Sequence, residues 1–179
     1  MGLSLVNLEE ARRYMLEEIE MDVAKDIIYI SARLNPHGVA AYLPLFREAV
    51  QNHDDVWLAQ ELRFGGMFNP AYQRQNHKTG KISMVTMPVN APESLAEGEF
   101  NRFYIRGLSR HAIEQGILAL RIYRARASMH PRPESEARIG ALVKPIDLLN
   151  DLRTHIGDDT ALGVPGGVNS GLSVKIPSV

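Results

Sequence analysis

The sequence predicts an α+β fold, in which N-terminal helices are followed by a small mixed or antiparallel sheet packed on one long helix. Over the first 60 residues, apolar residues recur at three- and four-residue spacing, as in amphipathic helices. A longer helical pattern runs from about 92 to 115 and ends at Gly116, and an alternating segment follows at 117–126. A helix, a glycine and then a strand are typical of an αβ unit packed face to face.

Three helices are predicted before residue 63. Asn7 begins a capping-box pattern, and apolar residues follow it at helical spacing as far as residue 23. Asn35 directly before Pro36 is a strong start for a second helix, and Asp54 is expected to cap a third. The β-branched run at 27–30 fits either a strand or the tail of the first helix, because periodicity cannot decide for so short a segment.

Residues 63–80 are predicted to form a long loop. Paired glycines, an Asn-Pro step and a Lys-Thr-Gly step punctuate it. It also carries large side chains that a flexible linker would not need, and we interpret three of them as an interaction site: Phe64, Phe68 and Tyr72. The segments 81–87 and 172–176 alternate as strands do, and we expect them to share one sheet with 117–126.

The chain has 179 residues and is expected to be a single domain, 1–179. It divides into a helical part (1–62), the loop (63–80), an αβ core (81–156) that includes a short helix at 145–154, and a Gly/Pro-rich tail with a terminal strand (157–179). The absence of cysteine excludes disulfides, thiolate nucleophiles and Cys-ligated metals. With neither a secretion signal nor a run of ~20 apolar residues, the chain is expected to be cytoplasmic and to bind no membrane.

Charge is unevenly distributed, although the net charge is −1. Residues 1–60 carry ten acids and five Lys or Arg, whereas residues 61–140 carry seven acids and twelve Lys or Arg. Arginine suits anionic partners because its planar fork donates parallel hydrogen bonds. Six arginines of the long helix and the following strand are therefore predicted to bind an anionic partner or a neighbouring subunit: Arg102, Arg106, Arg110, Arg121, Arg124 and Arg126. Alternatively, they pair with acids of the first helix, in the same chain or in a neighbour.

No catalytic or metal-binding pattern stands out. The histidines lack the spacing of a zinc site, and no serine has a nucleophile-elbow context. Glu134 and Glu136 have the spacing of the paired glutamates in ADP-ribosyl-transferring enzymes, but the other parts of that pattern are missing. We therefore predict neither a metal nor a cofactor. A cleft that gathers His77, Arg106 and Glu136 would favour an enzyme.

These observations favour a non-enzymatic structural or interaction subunit of a homo-oligomeric or larger assembly. The acidic first helix of one copy would meet the basic middle region of the next, with 63–80 and 157–171 reaching across. Its partners would be copies of itself or other assembly subunits, and such heterologous contacts build rings or filaments. The alternative is a nucleic-acid-binding protein that uses the arginine-rich helix and strand face, with the aromatic loop residues stacking on bases.

Overall fold

The structure is a computed structural model that describes residues 2–75, 79–128, 131–157, 160–166 and 170–177. Over these residues the fold is α+β, as predicted. Its elements, in chain order, are α1 (Leu8–Ala24), α2 (Pro36–Asn52), α3 (Asp55–Phe64), β1 (Ala71–Gln75), β2 (Ile82–Thr86), α4 (Ala91–Glu114), β3 (Leu120–Arg124), α5 (Pro133–Glu136), β4 (Leu142–Val143), α6 (Pro145–Thr154) and β5 (Leu172–Lys175).

The long helix α4 is the centre of the fold. It packs against α1, α3 and α6 and also contacts β5. Phe100, Tyr104 and Leu108 are fully buried along it. The ring of Phe103 meets that of Phe46 from α2 edge to face, with centroids 5.2 Å apart. Because α4 is contacted on several sides, some of its polar side chains are buried and need partners on the neighbouring helices.

Helices α1 and α4 approach each other closely at Gly107. A Cβ atom placed there would lie 2.7 Å from Cγ of Met15 and 2.8 Å from the carbonyl oxygen of Ala11. We expect Gly107→Ala to lower the free energy of unfolding by about 1–3 kcal/mol, because overpacking forces neighbouring atoms apart. Urea unfolding followed by circular dichroism measures the change.

The matched control for Gly107 is Gly98 on the same helix, where a Cβ atom would meet nothing within 4 Å. Gly98→Ala should be neutral or stabilising, since Ala is favoured over Gly in helices by about 1 kcal/mol. Equal stabilities for the two alanine variants would contradict a close packing role for Gly107.

The strands form two antiparallel sheets rather than the single sheet expected. In one sheet, β3 lies between β4 and β5. Residues 81–87 were expected to join it, but β2 pairs with β1 instead, from Ala71 opposite Thr86 to Gln75 opposite Ile82. The prediction was wrong because alternation identifies a strand without identifying its partner.

The loop predicted at 63–80 is wrong for residues 71–75, which form β1. Tyr72 is the single large apolar side chain in this strand, so its own alternation is weak. Pairing with β2 holds residues 71–75 in an extended conformation. The stronger indication of a hairpin is the glycine between the two strands. Gly80 has a φ of 68°, in the left-handed region that hairpin connections often require.

Two of the three predicted helix starts have the expected caps. The Asn35 side chain accepts a hydrogen bond from the Gly38 amide at 2.8 Å, and Asp54 accepts one from the Trp57 amide at 2.9 Å. The Asn7 capping box is wrong, because its side chain accepts no bond from the first turn of α1. Its Oδ1 instead accepts from the Ile176 amide at 3.0 Å. Residues 27–30 form neither strand nor helix.

The described part of the tail packs on its own chain, whereas we expected 157–171 to reach a neighbour. Both oxygens of the Asp151 carboxylate accept backbone amides of the tail, from Ala161 at 2.9 Å and from Leu162 at 2.8 Å. The Arg138 guanidinium donates to the Leu162 carbonyl oxygen. The long α4 does not have the apolar character of a membrane span, and neither does any other helix of the described ranges.

Candidate functional site

Five of the six arginines predicted as a binding face contact acids of their own chain, and Arg106 is the clearest case. Its side chain is fully buried between α1 and α4. Nη1 and Nη2 donate to the two carboxylate oxygens of Asp22 at 2.6 and 2.8 Å, and Nε donates to Glu18 at 2.9 Å. Arg153 of α6 donates to the same Glu18 carboxylate. Three helices thus converge on one buried ionic network.

The arginines of this network keep Glu18 ionised. Burial alone would raise the pKa of Glu18, but hydrogen bonds and positive charge from Arg153 and Arg106 outweigh it, so the pKa lies below its usual value. Glu18 therefore stays ionised and accepts bonds from both guanidinium groups. A buried ionic group so fully bonded is a structural element of the core.

Four of the other predicted arginines also contact acids of the same chain. Arg110 lies 2.8 Å from Glu17 of α1, and Arg126 lies 3.0 Å from Glu97 of α4. The remaining contacts are Arg124 with Glu136, and Arg102 with Glu99 at 3.6 Å. Arg121 is exposed on β3.

The charges assigned to a contact between copies therefore meet inside one molecule. Arg106 and Arg110 adopt the alternative in which the basic helix pairs with the acidic first helix of its own chain. The prediction that Arg102, Arg124 and Arg126 bind an external anion loses its electrostatic basis in the same way, since each lies beside a glutamate. Self-association, if it occurs, needs another surface.

The grouping that would have favoured an enzyme is not formed by its described members. Arg106 is buried against Glu18 and Asp22, whereas Glu136 pairs with Arg124. His77 lies outside the described residues. Within the described ranges, no three His, Asp or Glu side chains converge as metal ligands.

A different surface is formed by the β1–β2 hairpin, which we call the arm (residues 71–86). In an antiparallel pair, partners share a face, so Gln73 and Met84 lie on the same side as Gln75 and Ile82. Ile82 is 60% exposed and Met84 is 64% exposed. The arm thus presents an apolar pair to solvent on a two-stranded ribbon.

The arm is attached to the rest of the chain at its base. The Met87 amide donates to the Pro70 carbonyl oxygen at 2.9 Å, and the Asn69 side chain donates to the Leu34 carbonyl oxygen at 3.0 Å. The Arg33 guanidinium lies over the Tyr72 ring, 4.5 Å from its centroid. Beyond Tyr72, β1 is exposed.

The three aromatic residues predicted as an interaction site are separated by the structure. Phe64 ends α3 and is 82% exposed. Phe68 is half-buried, and its backbone forms an isolated bridge with Leu34. Tyr72 is half-buried beneath Arg33. Phe68 and Tyr72 line the same cleft beside the base of the arm.

This cleft, of about 990 Å³, lies between the first half of α4, the base of the arm and the tail. Glu99 and Arg102 contribute side chains that are each 9% exposed, with Arg102 Nε and Glu99 Oε1 3.6 Å apart. Burial raises the pKa of Glu99 to about 7, although Arg102 and Arg106 act to lower it. Glu99 is therefore poised between acid and carboxylate near neutral pH.

The sequence analysis missed both the arm and the Glu99 cleft. A signal for the arm was available, because residues 71–86 contain three Lys or Arg and no acid. No local signal marks Glu99, since its environment is assembled from segments distant in sequence. No family model matches the chain, and neither the curated proteins nor the solved structures include a significant match to it, so a function has to be inferred from the arm and the cleft.

Proposed function

We propose that this chain is a non-enzymatic structural subunit that self-associates through the arm. The observation that carries the proposal is the exposed apolar pair, Ile82 and Met84, on a two-stranded ribbon. An isolated hairpin is only marginally stable in water, so an exposed ribbon with an apolar face gains from a partner. The absence of cysteine suits a cytoplasmic assembly.

Charge favours a second copy as the partner. The arm carries three positive side chains and no acid, so the rest of the chain carries a net charge of −4. The arm of one copy is therefore attracted to the body of another, whereas the acidic body repels nucleic acid. This replaces the contact between an acidic first helix and a basic middle region, whose charges pair internally.

Such a contact is heterologous, because the arm of one copy meets a different surface on the next. Contacts of that type close into rings or continue as filaments. The charge attraction weakens with salt, while the apolar contact does not. Association is therefore expected to persist, in weakened form, at high ionic strength.

The double variant Ile82→Thr/Met84→Thr tests the arm. Threonine keeps the preference for a strand while removing most of the apolar side chain. We expect self-association to weaken by about 2 kcal/mol per interface, roughly 30-fold, from the lost apolar burial. Sedimentation velocity over a concentration series measures it.

The control is Ser83→Thr, which changes the opposite face of the same ribbon and should assemble as the wild type does. A wild-type chain that stays monomeric at 100 µM and low salt contradicts the proposal. So does a double variant that assembles normally. Binding of single- or double-stranded oligonucleotides at low salt, lost on Arg74→Gln, would instead identify the arm as a nucleic-acid contact.

A further inference from the structure

The cleft beside α4 has the dimensions of a small-molecule site, and its lining comes from one chain. Pockets for small ligands commonly enclose ~300–1,000 Å³ and combine apolar walls with a few polar groups. This cleft encloses about 990 Å³. Tyr29, Phe68 and Tyr72 line it, together with residues of the first half of α4.

One residue that lines the cleft is an exposed glycine, Gly98, which the packing of the protein does not require. Gly98 lies inside α4, where glycine costs about 1 kcal/mol relative to alanine. No atom lies within 4 Å of the position that its Cβ would occupy. Gly107, in the same helix, is explained by contact with α1, and Gly98 has no such explanation. Glycine is typical of places where a ligand approaches the backbone closely.

Glu99 follows Gly98 in the chain, and among the described residues no hydrogen bond reaches its carboxyl group. Its side chain is 9% exposed, and its closest cationic contact in the described structure is Arg102, at 3.6 Å, beyond hydrogen-bond distance. Leaving a buried carboxyl group without a donor is costly, so a ligand that supplies N–H or O–H donors is favoured here. Nothing in the core contacts described above needs this group.

A cation stacked on an aromatic ring also lines the cleft. Arg33 lies over Tyr72 where both line the cleft. The lining side chains that the structure describes include three arginines and two glutamates, a net charge of +1. Arg102 and Arg126 each lie beside a glutamate of this lining. The net charge of the described lining therefore reflects Arg33, which favours an anion, while Glu99 favours a donor.

We propose that the cleft binds a planar aromatic ring that carries an anionic group, a phosphate or a carboxylate. The ring lies on the backbone at Gly98, its N–H or O–H groups donate to Glu99, and the anionic group meets Arg33. A mononucleotide and an aromatic carboxylate share this chemistry. Both are of a size that the cleft accommodates.

The test titrates the ¹⁵N-labelled full chain with AMP, GMP, CMP, UMP, indole-3-acetate and inorganic phosphate, followed by NMR chemical shifts at pH 7. We expect saturable shifts with at least one ring-bearing anion and at least tenfold weaker binding of phosphate alone. Binding of a nucleotide alone, or of indole-3-acetate alone, identifies which of the two sources the cleft accepts.

Variants localise the site. Gly98→Leu adds a side chain where a Cβ atom meets nothing within 4 Å, and it should weaken binding at least tenfold. Arg33→Gln should weaken the binding of anionic probes tenfold but leave the affinity for the corresponding uncharged nucleoside unchanged. Ile113→Leu, on an exposed position near the other end of α4, is the control that keeps wild-type affinity.

Three results would overturn the proposal. The first is the absence of saturable shifts with every probe at 5 mM. The second is phosphate binding as tightly as the ring-bearing anions, which excludes recognition of the ring. The third is unchanged affinity in a Gly98→Leu variant that circular dichroism shows to be folded.

Discussion

Replacing Arg106 with methionine is expected to lower the free energy of unfolding by about 3–5 kcal/mol, because removing one partner leaves buried charge uncompensated. Asp22 would lose both of its bonds from Arg106, at 2.6 and 2.8 Å. Glu18 would keep Arg153, and Arg110 at 3.5 Å. Methionine fills much of the space, so lost packing contributes little. Chemical denaturation at pH 7 measures the difference.

The matched control is Arg110→Met, one turn further along the same face of α4. Arg110 pairs with Glu17 at 2.8 Å, but the two side chains are 32% and 37% exposed. Its distance to the buried Glu18 is 3.5 Å, longer than the bonds that Arg106 donates. Exposed pairs contribute about 0–1 kcal/mol, so this variant should be nearly as stable as the wild type. If both methionine variants lose the same amount of stability, the burial of Arg106 is not the cause of its contribution to the free energy of unfolding.

Replacing Glu99 with glutamine is expected to stabilise the protein by up to about 3 kcal/mol above pH 8 and to change little below pH 4.5. Burial raises the pKa of Glu99 from an ordinary 4.5 to about 7 in the folded chain. The folded state therefore binds this proton more tightly than the unfolded state does. Its contribution is fully present below pH 4.5 and is lost as the pH rises through 7.

The difference in unfolding free energy between the two proteins, measured from pH 4 to pH 9, isolates Glu99 from other groups. Asp55 also has a pKa raised by burial, to about 6, but it titrates in both proteins and cancels. Glu93→Gln is the control of opposite sign. Burial acts to raise the pKa of Glu93, but the bond and charge of Arg63 lower it overall, so that variant should lose stability at high pH. If the difference in unfolding free energy between Glu99→Gln and the wild type does not change with pH, burial does not raise the pKa of Glu99.

The helix caps predicted from neighbouring residues at Asn35 and Asp54 were confirmed, whereas some predictions that depended on contacts between distant segments were wrong. Asn35 and Asp54 cap their helices through bonds to residues three positions away, which the sequence displays directly. The pairing of β2 with β1, and not with β3, depends on a choice between distant segments. Asn7 shows the same limit, because a residue 169 positions away uses the oxygen that a capping box would need.

The candidate site was less predictable than the fold for a related reason. Three arginines spaced by four on α4, followed by three more in the strand predicted at 117–126, resemble an external face, but the sequence does not say whether an acid lies opposite them. Arg106 is buried because α1 and α4 are close enough at Gly107 for its guanidinium to reach α1. Glu99 acquires its unusual pKa from burial by segments that sequence alone does not place around it.

The network of Arg106, Glu18 and Asp22 also constrains how this chain can drift by mutation. Losing the guanidinium first removes both bonds to Asp22 and one to Glu18, and losing a carboxylate first leaves part of the guanidinium unpaired, so each single step is penalised. Replacing all three by apolar residues of similar volume can be neutral or favourable, yet it requires coordinated change on two helices. Descendants that keep this fold should therefore retain the three residues together or exchange them together, so positions 18, 22 and 106 should vary as one unit.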